Sequence, residues 1–210
     1  MNAILENIMT RRSCRAFEKR RIPDADLEQI LTAAVYAPTA MNRQTWRFTV
    51  LRDAEQIAQL ARAVGAAIGR EGYNFYEPDT LVIVSNLKTN ANAIADAGCA
   101  MQNIMLMAHS LGVASCWINQ MKDTNGDPAV RALLDGYGVP ADHDVQCCAA
   151  LGYGEDVRTS VCEMPVSASG DNFLNFFEKY LRSADTKGGE SRGMKSLSRV
   201  MFCPSRRVAK

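Results

Sequence analysis

Arg11-Arg12-Ser13-Cys14-Arg15 sets three guanidinium groups and a hydroxyl within five positions. Arginine is a permanent cation whose planar fork of donors matches the oxygens of a phosphate, and Ser13 adds a neutral donor. The spacing describes an anion site for a phosphate monoester. It equally describes a solvated basic helix end. A second cluster, Ala37 to Trp46 (APTAMNRQTW), is dense in small side chains and amides. Amides carry both donor and acceptor and can read the edge of a heterocycle, although turns use the same residues. Trp46 offers a stacking surface, but tryptophan more often anchors a core. A third segment, Gly112 to Gln120 (GVASCWINQ), leaves a helix and runs through a short strand. Strand ends emerging from a core are where ligands commonly meet backbone donors.

The elements that must position these groups are legible from periodicity. Ile4, Leu5, Ile8 and Met9 make Asn2–Thr10 a short amphipathic helix. Pro23, Asp24 and Asp26 open a second helix, with Leu27, Ile30, Leu31, Ala34 and Val35 as its stripe and Pro38 as its stop. Arg47–Leu51 alternates as a strand, and Ala54–Gly69 reads as a helix. Leu81–Ser85 and Val145–Leu151 are continuous apolar runs, as expected of strands covered on both faces. Ala91 to Leu111 is the longest helical segment, apolar nearly all round and stopped by Gly112. Such a helix is usually enclosed by other elements or by a second subunit. Ser115–Ile118 is a strand, Pro128–Tyr137 a short helix, and Asn172–Leu181 an aromatic-faced helix. The order fits an α+β chain with a central mixed sheet flanked by helices. One domain is expected over 1–181, with a basic extension over 182–210 that is either a flexible end or a segment wrapping a partner.

Composition narrows the partners. The 210 residues are 47% hydrophobic and 22% charged, with a net charge of +1. That is too apolar for disorder and too balanced for a plainly basic nucleic-acid binder. The balance is local, however. Arg182–Lys210 holds eight Lys+Arg against two Asp+Glu, a net of +6, and the rest holds 16 against 21, a net of −5. No long apolar run suits a membrane span, and the order of charges at the N-terminus is wrong for a signal peptide. The seven cysteines form no CxxC pair, and His109 and His143 stand far apart, so no metal site is expected. Buried thiols in a reducing cytoplasm are the expectation.

Taken together, the segments resemble the FMN-dependent nitroreductase family. The resemblance runs from about Leu5 to Tyr153 through RRSCRAF (Arg11–Phe17), APTAMNRQTWRF (Ala37–Phe48), DAGCAMQNIMLMAHSLG (Asp96–Gly112), SCWIN (Ser115–Asn119) and ALGYG (Ala150–Gly154). Thr45 stands where these proteins often have proline, Cys147-Cys148 where they usually have Val or Ile, and the tail after Pro165 departs from their usual ending.

The resemblance implies an intertwined homodimer with two FMN sites at its interface. It implies that Arg11, Arg12, Ser13 and Arg15 hold the phosphate and ribityl chain, and that Pro38, Thr39, Ala40 and Asn42 reach the flavin from the partner. Trp117, Ile118, Asn119 and Gln120 would pass the isoalloxazine, Asn74 its pyrimidine edge, and Arg206 or Arg207 would complete the phosphate site. The implied activity is NAD(P)H-dependent transfer of hydride through flavin N5 to a nitroaromatic, quinone or enone, with ping-pong turnover. FMN is then the cofactor and NAD(P)H the co-substrate. No catalytic side chain is needed, because the flavin does the chemistry and the protein orients it. Other chemistry on the same fold (dehalogenation, flavin breakdown) and a non-catalytic flavin-binding protein are the alternatives. Nucleic-acid binding through the tail lacks aromatic interleaving.

Overall fold

The computed structural model describes residues 2–154. The two apolar runs found in the sequence become its central strands. β2 (Thr80–Leu87) is buried throughout from Thr80 to Asn86, and β4 (His143–Gly152) is buried at eight of its ten positions. Alternation along each strand sorts the side chains into two cores. Leu81, Ile83, Cys148 and Ala150 join one core with Ile57, Leu60 and Val64 of α3 (Ala54–Ala67) and Val130 and Leu134 of α5 (Pro128–Gly136). Val82, Val84, Cys147, Ala149 and Leu151 join the other, with Leu27, Ile30 and Ala34 of α2 (Asp24–Val35) and Met101, Ile104 and Ala108 of α4 (Ala93–Ser110). A register shift between Val84 and Ser85 skips Gln146, which places Val145 and Cys147 on opposite faces.

β1 (Trp46–Leu51) and β3 (Ala114–Ile118) complete the sheet, in the order β1-β2-β4-β3. The expected mixed sheet needs correction. All three strand pairings are antiparallel, and the parallel component among the described residues is an isolated bridge between Ser13 and Ser115. Continuous burial of β2 and β4 follows from helices on both faces, not from parallel pairing. β2 and β3, joined through α4, do run parallel, but β4 lies between them.

The helices begin where their caps dictate. Asn2 accepts from the Ile4 N–H at 2.9 Å to start α1 (Ala3–Thr10), and Asp53 accepts from Gln56 N–H at 2.9 Å to start α3. Asp127 caps α5, with Pro128 in its first turn. Gly112, at φ 71°, ends α4 in the left-handed conformation that glycine adopts without penalty. α1 has no buried residue, and Ile4 and Ile8 stand 70% and 46% exposed. On α4, Ile94 faces solvent as well. Among the described residues no helix is long and apolar enough to cross a membrane. The Asn172–Leu181 helix, the 181/182 boundary and the basic extension lie outside the described residues.

Candidate functional site

The arginine-rich segment follows α1 and is drawn onto the edge strand β3. Cys14 N–H donates to the Ser115 carbonyl at 2.9 Å, beside the Ser13–Ser115 bridge. Backbone groups alternate sides along a strand. Trp117 N–H and C=O therefore lie on the same outer edge as those of Ser115, continuing past the end of the bridge. The Ile118 side chain is in the core, and by the same alternation its backbone N–H and C=O face β4, so Ile118 presents neither at this edge. Residues 16–18 are held against the end of β4. Glu18 N–H donates to the Tyr153 carbonyl at 2.7 Å, and the Arg20 guanidinium stacks over the Tyr153 ring at 3.7 Å. Gly154 permits this approach, since a Cβ there would stand 2.2 Å from the Ala16 carbonyl oxygen.

The arginines have different tasks. Arg12 Nη1 donates to the carbonyls of Met9 and Arg11 at 2.6 and 2.8 Å and so caps the C-terminal end of α1. Arg11 Nη1 is buried and finds no hydrogen-bond partner among the described residues, and the Ser115 hydroxyl is buried in the same condition. A buried donor left without an acceptor costs about 1–3 kcal/mol, more when charged. Ser115 is one half of the Ser13 bridge and Arg11 lies two residues before the other half, so an anion at this segment would offer acceptors to unmet donors. Arg15 is exposed at the same segment. His109, near the end of α4, shares a hydrogen bond of 2.8 Å with Thr10 Oγ1. Burial first, then the positive charges of Arg11 and Arg12, hold its pKa below the usual histidine value. Cys14 is buried and its thiol lies 3.2 Å from the Ala16 carbonyl, a packing role and not that of an accessible thiol.

Gln120 follows β3 in a short 3-10 turn, Gln120–Thr124, with Asn119 exposed just before it. Tyr73 O–H donates to Gln120 Oε1 at 3.2 Å, which brings the 73–77 turn to this end. Burial raises the Tyr73 pKa and keeps the phenol protonated. Asn74 is partly committed to its own turn. Its Oδ1 accepts from Tyr76 N–H at 3.0 Å, and its amide nitrogen lies 3.4 Å from Glu77. Glu77 pairs with Lys19 at 3.0 Å, and that partner holds its carboxyl below the usual range.

The amide-rich loop sits elsewhere. Thr39 is extended, and Ala40–Asn42 forms a 3-10 turn in which Met41 and Asn42 both have φ 53°, followed by Gln44 at φ 49°. Left-handed backbone costs a non-glycine residue about 1–2 kcal/mol, so something must hold it. Asp96, in the first turn of α4, accepts from Ala40 N–H at 3.0 Å and from Asn90 Nδ2 at 3.0 Å. Thr45 O–H donates to Asn86 Oδ1 at 2.7 Å, and Asn90 Nδ2 lies 3.1 Å from Thr45 Oγ1. Thr39 Oγ1 accepts from Gln44 N–H at 3.2 Å, and Gln44 Nε2 donates to Asn42 Oδ1 at 2.9 Å. Pro38 and Asn42 are exposed at the loop surface.

The structure thus brings Arg11, Arg12, Ser13, Arg15, Trp117, Ile118, Asn119, Gln120 and Asn74 to one side of the molecule. Pro38, Thr39, Ala40 and Asn42 stand apart from the arginines, whereas the tip of the Trp117 ring would meet a Cβ at Gly98, two residues from Asp96, at 3.9 Å. The loop is tied to Asp96 and the arginine segment to His109, thirteen residues apart on one helix, or about 20 Å along its axis. Arg206 and Arg207 lie outside the described residues. Among the described residues no cluster of His, Cys, Asp and Glu is arranged for a metal ion. Asn86 and Asn90, which help to hold the loop, lie outside the quoted motifs, and Asp96, His109 and Ser115 lie inside them without a role assigned from sequence. A lone acid in the first turn of an apolar helix was the available signal for Asp96.

Residues 8–153 match the description "Nitroreductase family". A nitroreductase from Bacteroides fragilis with bound FMN is similar at 38% identity and a TM-score of 0.77, covering 81% of this chain and 100% of that one. A nitroreductase with bound FMN from Desulfitobacterium hafniense is similar at 25% identity and a TM-score of 0.73, covering 81% and 100%. A protein of Archaeoglobus fulgidus named "Putative NADH dehydrogenase/NAD(P)H nitroreductase" is 34% identical over 75% of this chain and 89% of its own length. With a sheet covered on both faces, an arginine segment bridged to its edge strand, and these matches across most of its length, the chain belongs to the nitroreductase family.

Proposed function

We propose that this protein is an FMN-dependent oxidoreductase that takes hydride from NAD(P)H and passes it to a small oxidised acceptor, a nitroaromatic, quinone or enone, by ping-pong turnover. The observation that carries the reading is Arg11 Nη1, buried without a partner among the described residues, two residues before the Ser13–Ser115 bridge. It fits a phosphate monoester, and FMN is bound in the Bacteroides fragilis and Desulfitobacterium hafniense proteins. When bound, the flavin supplies hydride acceptance and donation at its N5 position.

The chain's own residues bind and orient. Arg11, Arg15 and Ser13 hold the phosphate and ribityl chain, with Arg206 or Arg207 as the completing cation. Arg12, committed to capping α1, sets the direction of the segment and adds positive potential. The outer-edge backbone at Trp117, with Asn119 and Gln120, addresses the flavin ring, and Asn74 its pyrimidine edge. Backbone donors preorganised in this way stabilise charge that develops on a bound ring without reorganising.

The separation of the two clusters along α4 supports a homodimer in which Pro38, Thr39, Ala40 and Asn42 complete the site of the other subunit. The α1 helix, with no buried residue, and the exposed Ile94 of α4 offer apolar surface for that contact. Residues 1–181 would form the flavin-binding domain and 182–210 an extension wrapping the partner.

The test is the visible spectrum of the purified protein with anaerobic NADH or NADPH, together with its mass by light scattering. A yellow dimer that bleaches on reduction supports the proposal. A protein that stays colourless after FMN is supplied overturns it.

A further inference from the structure

Asp96 is the unusual group in α4. Its carboxylate is buried at 4% exposure, and among the described residues no cation pairs with it. Its two oxygens are divided between the Ala40 N–H and the Asn90 amide, each at 3.0 Å. Its place in the first turn of α4 sets it at the positive end of the helix dipole. Asn90 in turn reaches Thr45, so one carboxylate ties both ends of the loop 40–45 to α4. Between these ties run the left-handed residues Met41, Asn42 and Gln44. A conformation of that kind persists only where its surroundings over-determine it. The bond to the Ala40 N–H fixes the start of the turn, and hence the direction in which Thr39 and Asn42 are presented.

We infer that Asp96 is a positioning residue: it holds the Thr39–Asn42 loop in the shape that grips the flavin ring across the subunit interface. The inference rests on the flavin reading above and assigns Asp96 to the ring, not to the phosphate. Its prediction is therefore distinct from that of the arginines. Loss of Asp96 weakens FMN and riboflavin by the same factor, because both carry the ring and only one carries the phosphate.

Two variants test it. Asp96→Ala removes both acceptors. Ala40→Pro deletes only the N–H, at a site that admits proline: Thr39, at φ −126° and ψ 152°, already has the conformation required before a proline, and Ala40 opens a 3-10 turn. Apo forms of the wild type, both single variants and the double variant are titrated with FMN and with riboflavin by flavin fluorescence, and circular dichroism and urea denaturation identify the folded range. The expected result is a tenfold or greater rise in Kd for either single variant, equal for the two ligands, with the double variant no weaker than the weaker single. Unchanged affinity in a folded Ala40→Pro protein overturns the inference, as does an FMN loss much greater than the riboflavin loss. Wild-type protein that binds neither ligand overturns the flavin reading itself, a result distinct from both.

Discussion

The two ends of α4 solve different problems. At the His109 end the side chains are unfinished: Arg11 Nη1 and the Ser115 hydroxyl are buried without hydrogen-bond partners among the described residues. At the Asp96 end the buried Asn86 Nδ2 is also without a partner among the described residues, but the distinguishing feature is a strained backbone, with three non-glycine residues left-handed and a polar network holding them. An anion of high charge is bound by leaving donors unmet and letting the ligand satisfy them. A neutral ring edge offers less energy, so the protein must fix the shape of the loop beforehand. In the proposed site, unmet charged donors would serve the phosphate and the pre-strained loop would serve the ring.

The largest expected effect breaks the first end. Arg11→Ala with Arg15→Ala removes charge-assisted bonds worth about 1.5–3 kcal/mol each, so FMN affinity falls by roughly two to four orders of magnitude. Riboflavin, without the phosphate, loses less than about tenfold. Fluorescence titration of the apo protein with both ligands measures this, and equal losses would reject the phosphate assignment. Next is the support beneath that end. Gly154→Ala drives a Cβ to 2.2 Å from the Ala16 carbonyl, and the forced shift costs about 1–3 kcal/mol in urea denaturation. FMN affinity declines with it, because the segment carrying Ser13 and Arg15 must move.

At the strained end, Gln44 is the sharpest probe. Glycine suits φ 49° and a β-branched side chain does not. Gln44→Gly should therefore exceed Gln44→Val in stability by about 1–2 kcal/mol, and a thermal melt of the two separates them. The smallest effect compares the two histidines. His143, buried beside β2 with its Nδ1 3.2 Å from Ser85 Oγ, has its pKa lowered mainly by burial, with Arg47 acting the same way and Asp142 opposing. His109 is lowered by burial, Arg11 and Arg12. Both folded-state values lie below the unfolded one of about 6.5. The unfolded chain therefore takes up these protons first as pH falls, and stability declines from about pH 6.5 down through the folded values, then levels. FMN should raise the His109 pKa by offsetting the arginines and leave His143 unmoved, which NMR titration of the two rings in apo and loaded protein reads directly.

Periodicity placed every described α-helix and strand within a few residues, because each except α1, which buries no residue, either buries one stripe or is covered on both faces. Pairing direction was not legible: Leu81–Ser85 and Val145–Leu151 look alike whether a covered strand pairs parallel or antiparallel. In the proposed site, arginine spacing picked out a segment that the structure bridges to β3, because guanidinium chemistry is written in residue type. The loop's clamp was not legible, since Thr45, Asn86, Asn90 and Asp96 meet only through the fold. Nor did the sequence reveal that Arg12 is spent on capping while its neighbour Arg11 keeps a free donor.

The distance between the two ends has a genetic consequence. In the proposed dimer each site takes its arginines from one chain and its loop from the other. Changes at Arg11 and at Asp96 severe enough to abolish FMN binding would each leave the homodimer inactive. Paired with each other, the two kinds of subunit concentrate both defects in one site and leave the other with none. Two recessive-null alleles of this kind, expressed together, should complement, and mixed dimers should recover one of their two sites.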